Sequence, residues 1–80
     1  MTDYVAAFHT HFAALKTLHA LTDAGVLARL APVPRKLSAS CGTAVLYAAE
    51  SPRLDLMDAD TELVARVTGG GEYDILMENR

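Results

Sequence analysis

Asp58-Ala59-Asp60-Thr61-Glu62-Leu63-Val64-Ala65-Arg66-Val67-Thr68, closed by Gly69-Gly70-Gly71, is the run on which the layer count of the fold depends. Asp58 is a favoured N-cap type, and Glu62 falls in the first turn behind it. Leu63, Val64 and Val67 share a face at helical spacing. The run therefore reads as a helix over about residues 59–68, stopped by the glycines. Beyond it, Tyr73 to Glu78 reads as a last strand with Tyr73, Ile75 and Met77 on its inner face. Before it, residues 53–57 fit either an extended arm or an early helix start, and Ser51-Pro52 ends a strand that begins at Thr43. In that strand Val45 and Tyr47 lie on one face, with Ala44, Leu46 and Ala48 on the other.

The first half of the chain adds two strands and a helix. Tyr4 to Phe8 is apolar throughout, as a central strand would be. Thr10 is an N-cap candidate for a helix whose Phe12, Leu15, Leu18 and Leu21 form an apolar stripe and whose stop is Gly25. Val26 to Val33 reads as an edge strand, since Pro32 and Pro34 cannot donate to a ladder. The order is β-α-β-β-α-β. It predicts a ferredoxin-like α+β sandwich: a four-stranded antiparallel sheet in order 4-1-3-2 with two helices on one face.

Eighty residues form one domain, residues 1–80. A chain this short buries only about 60–65% of its unfolded surface. With two Phe, three Tyr and no Trp, it has few large anchors, so a homodimer would add needed burial. The net charge of −3 and the pI near 5.4 argue against nucleic acid as a partner. No apolar run approaches a membrane span, and Asp3 and Tyr4 stand where a signal peptide would be basic. The single cysteine reads as a reduced thiol in a cytoplasmic protein. The triple glycine completes no nucleotide-binding motif, and no cofactor is expected.

That cysteine lies in Pro32-Val33-Pro34-Arg35-Lys36-Leu37-Ser38-Ala39-Ser40-Cys41-Gly42. Two cations precede the thiol, and a cation favours the thiolate, which is the nucleophile. Ser38 and Ser40 add hydroxyl donors and turn propensity. Gly42 permits close backbone approach. The run is similar to the signature of a family of very small bacterial proteins labelled selenium/sulfur (Se/S) carrier-like. Its pattern is an early strand ending in Phe, a Ser/Thr-started helix, then Pro-x-Pro-Arg…Ser-x-x-Cys-Gly. Here those parts fall at Phe8, Thr10 and 32–42, so the resemblance runs from Phe8 to about Tyr47. Relatives often carry an acidic residue in mid-helix where this chain has Leu18. The resemblance implies a carrier rather than an enzyme. Such a protein accepts sulfur or selenium from a donor enzyme, holds it as a persulfide or selenide on Cys41, and passes it to an acceptor protein.

In the expected topology, the exits of the first two strands and the head of the third share one sheet edge. His9-Thr10-His11, Arg35–Gly42 and Gly69–Glu72 would converge there. Cys41 would sit by the first helix N-terminus, whose N–H groups favour an anion. Together with Arg35 and Lys36, that placement predicts a thiol pKa below its usual value of about 8.5. Arg35, Lys36, Gly42, Thr10 and Ser40 are the anion-stabilising candidates, and His9 and His11 are candidates for proton transfer. His9, His11 and Cys41 also offer three metal ligands. However, His-x-His on such a turn aims its rings apart and no second cysteine is present, so no metal is expected. Two rival readings are an interaction module with an idle Cys41 and a weak His/Cys metal-binding regulator.

Overall fold

A computed structural model describes residues 1–37 and 42–79. Strand β1 (Thr2–Phe8) is followed by helix α1 (His11–Asp23), then strands β2 (Leu27–Pro32), β3 (Thr43–Ala49), β4 (Thr61–Val67) and β5 (Tyr73–Glu78). The strands form a single antiparallel sheet in order β2-β3-β1-β4-β5. This corrects the expected sandwich. The described residues form five strands rather than four and one α-helix rather than two, in an α+β, sheet-rich fold.

The difference arises in the stretch read as the second helix. Thr61–Val67 is a strand lying between β1 and β5, and Thr61 to Ala65 are all buried. Thr61, Val64 and Val67 are β-branched and stiff at χ1, which suits a pleated strand better than a helix. Asp58 caps nothing helical. Its Oδ2 accepts from Asp60 N at 3.0 Å and its carbonyl accepts from Thr61 N at 3.1 Å, closing a turn instead. The crossover from β3 to β4 is made by residues 50–60, which hold only a 3₁₀ turn at Leu54–Leu56. This arm runs beside α1: Asp58 N donates to Thr17 Oγ1 (3.1 Å), and Lys16 pairs with Asp58 (3.2 Å). The Asp60 N–H first, then Lys16, hold the Asp58 carboxyl below its usual pKa.

Gly69–Gly71 forms the tight β4–β5 turn, in which Gly70 and Gly71 take φ of 75° and 76°. A register shift between Val64 and Ala65 pairs Val64 with Met77 and Ala65 with Ile75. Tyr73 and Ile75 are therefore on the opposite face from Met77, which corrects their expected common face.

The sheet packs on both sides. On the helix side Tyr4, Ala6, Phe8, Val45, Tyr47 and Val64 meet Ala13, Ala14 and Leu21 of α1. The helix packs through small residues, and Phe12, expected in the core stripe, is 71% exposed with Lys16 Nζ over its ring. On the back face Val5, Ala7, Ala44, Leu63 and Ala65 are covered by Leu37, which arrives from the β2–β3 connection.

Tyr47 stacks on Tyr4 at 5.2 Å and donates its hydroxyl to Pro52 O at 2.5 Å, tying β3 to the crossover. Burial, then Tyr4, raise its pKa well above the ordinary 10.0. The native state thus keeps a proton that the unfolded chain gives up, so this contribution is intact below pH 10 and lost as pH rises above it. Alkaline titration followed by circular dichroism should show unfolding that begins near there. Tyr47→Phe should be less stable at pH 7 by about 1 kcal/mol, the value of the lost hydrogen bond. Its stability should also fall less between neutral and alkaline pH. Parallel losses in the two proteins would contradict this account.

Candidate functional site

The edge that receives β1 also receives the end of β2 and the start of β3, because Phe8 pairs with Thr43 and Thr43 with Pro32. The start of β4 reaches it too, through Phe8 and Thr61. Gly69–Glu72, expected here, lie instead at the far end of β4, because β4 runs antiparallel to β1 and delivers its turn to the opposite edge.

Helix α1 begins at this edge. Thr10 has extended dihedrals, and its hydroxyl accepts the Ala13 N–H at 3.1 Å, as an N-cap does. The same hydroxyl donates to Asp60 Oδ2 at 3.2 Å, while Asp60 O accepts from His9 N at 3.4 Å. His11, the first helical residue, places Nδ1 3.3 Å from Thr43 Oγ1. The head of β3 is thus tied to the start of α1.

Gly42 sits where an added side chain is tight against its neighbours. A Cβ built on it would lie 3.0 Å from Phe8 O and 3.3 Å from Val33 Cγ2. Phe8 is a fully buried residue of the sheet's middle strand, so its carbonyl has no room to withdraw. The glycine directly after the cysteine is therefore seated against the exit of β1. Cys41 itself, with Ser40, lies outside the described residues.

The cations before the thiol follow a different course. Leu37 N donates to Pro34 O at 3.0 Å in a turn that carries residues 33–37 back over the sheet, where Leu37 is 4% exposed. Lys36 reaches the β4–β5 turn, donating to Gly71 O at 3.3 Å and pairing with Glu72 at 3.5 Å. Arg35 is exposed and makes no ion pair among the described residues. The structure thus gathers Thr10, His11 and Gly42, keeps His9 alongside on an exposed turn, and tethers Lys36 elsewhere.

Sequence reasoning missed Asp60 and Thr43. Asp60 holds Thr10. Its local signal, an acid before a β-branched strand residue, is shared with many turns. Among the described residues no group of three or more His, Cys, Asp or Glu is placed to hold a metal ion. No helix among them is long and apolar enough to cross a membrane.

These features define a small sheet-rich α+β domain whose lone cysteine stands one residue before a glycine locked to the central strand. The chain belongs to the family described as "Putative Se/S carrier protein-like", whose model matches residues 3–58. No curated protein and no solved structure matches it. The matched segment takes in β1, α1, β2, the cysteine loop, β3 and the crossover, and stops before β4.

Proposed function

We propose that the protein is a cytoplasmic carrier that holds sulfur or selenium on Cys41 as a persulfide or selenide and delivers it to an acceptor protein. The observation that carries this reading is the family match, which runs through the cysteine loop. The seating of Gly42, next in sequence to Cys41, against the exit of β1 supports it.

The chemistry needs no oxidant. The Cys41 thiolate attacks the terminal sulfur of a persulfide on a donor enzyme. The donor's S–S bond breaks, its own thiolate leaves with the electron pair, and a new S–S bond forms on Cys41. The thiol proton passes to water or to His11 or His9. Delivery is the same exchange with the acceptor's thiolate as attacker. Both Cys41 species are anions, which suits a position near a helix N-terminus and the donors Ser40 and the Gly42 N–H, and Thr10 joins them only by releasing Asp60. Arg35 adds charge without giving up a partner. Lys36 is held by an exposed pair worth about 0–1 kcal/mol, little enough for a persulfide to compete. The carrier works stoichiometrically, without a general base of its own.

The test is direct. Reduced protein incubated with a cysteine desulfurase and cysteine should gain one sulfur atom by intact mass, and Cys41→Ser should gain none. An unchanged wild-type mass would remove this reading and leave an interaction module with an idle thiol. Alkylation rates measured across pH should place the thiol pKa below about 8.5.

A further inference from the structure

The described residues cover only half of the back face of the sheet. Strand pairing sets its side chains in rows: Ala31, Ala44, Ala7, Leu63 and Glu78; then Arg29, Leu46, Val5, Ala65 and Ile75; then Leu27, Ala48 and Asp3, with Val67 and Tyr73 beyond. Leu37 lies over the first of these rows and the middle of the second. The rest borders an open groove of about 570 Å³ with Val5, Leu27, Leu46, Val67 and Tyr73 among its walls. Leu27 is 78% exposed there, and Ile75, on the same face outside the groove, is 45% exposed. An apolar face of this kind marks an interaction surface.

Two charges stand in that surface, Asp3 and Arg29, both exposed, and neither has an ion-pair partner among the described residues. One acid and one base on a single face make it complementary to itself. We propose that this half of the back face pairs with the same face of a second copy of the chain, across a two-fold axis that sets Asp3 of each copy against Arg29 of the other. Asp3 lies two strands from Arg29 and one row below it. An axis bisecting the line between them crosses β3 between Leu46 and Ala48. One rotation then satisfies both charge pairs and brings Leu46 and Leu27 of the copies together, as an isologous interface requires.

The area involved is on the order of 1,000 Å² over both copies, the lower limit for a specific interface. Dissociation is therefore expected in the micromolar range. The groove is open at the sheet end away from Gly42, so pairing leaves the cysteine edge free. The inference stands whether or not Cys41 carries a chalcogen.

Sedimentation velocity tests it. Wild-type protein should shift from monomer to dimer as concentration rises from about 1 to about 500 μM. Asp3→Arg and Arg29→Asp should each stay monomeric, with at least ~10-fold weaker association, because like charges then face each other. An equimolar mixture of the two variants should dimerise, since each supplies what the other lacks, and this also shows that both are folded. A wild type monomeric throughout overturns the proposal, and binding of an apolar dye to that monomer would reassign the groove to a small ligand. Single variants that associate like wild type, or a mixture that stays monomeric, overturn it as well.

Discussion

Leu37→Asp should lower the unfolding free energy by about 3–5 kcal/mol, close to the whole stability of a domain this size. Leu37 is the buried residue of the β2–β3 connection within the back-face cluster, which gathers residues of β1, β3 and β4, and among the described residues Val33 of the connection packs beside it. A carboxylate there loses the leucine's transfer energy and has no described cation beside it within the cluster. Leu37→Ala removes only the transfer and packing contributions and should cost about 2–3 kcal/mol. Urea unfolding read by circular dichroism measures both. If the aspartate variant keeps its midpoint within the error of wild type, the connection is not pinned to the sheet. The same variants should raise the rate of Cys41 alkylation, since the cysteine lies four residues beyond the pin.

Gly42→Ala should destabilise by about 1 kcal/mol and Gly42→Val by about 2–3 kcal/mol. The sign is the point of the experiment. At a compatible position Gly→Ala stabilises by about 0.4–1 kcal/mol, because it restricts the unfolded chain. Gly42 is absent from the glycines with positive φ, so its backbone does not forbid alanine. What reverses the sign is the 3.0 Å approach to Phe8 O, on a residue paired on both sides, by Thr43 and Thr61. A more stable Gly42→Ala protein would show that the approach is soft. A graded loss would confirm that the residue after the thiol is clamped to the central strand.

What could be read in advance follows from how local each signal is. Thr10 declares itself because an N-cap needs only its own hydroxyl and an N–H three residues on, and Ala13 supplies it. Pro32 and Pro34 likewise mark the end of β2 by chemistry they carry themselves. Thr61–Val67 carries no such mark. A strand covered on both faces shows no alternation, and the Leu63-Val64-Ala65 run with Val67 fits either period. Asp58 tipped the reading toward a helix because turns and caps favour the same side chain. The faces of Tyr73, Ile75 and Met77 depend on a register shift that nothing in β5 announces. At the site, the meeting of α1 with the head of β3 was legible from strand order alone. The tether from Lys36 to Glu72 was not, because it required knowing that residues 33–37 fold back across the sheet.

The family match ends at residue 58, yet the floor beneath Leu37 includes Leu63 and Ala65, and Lys36 is anchored at 71–72. The shared segment therefore leans on a hairpin that lies outside the family match. A protein cut after the crossover would bare one whole side of its middle strand and lose part of the seat under its loop. Substitutions in that hairpin, remote from the thiol in sequence, are consequently a route by which such a domain tunes how tightly its cysteine loop is held.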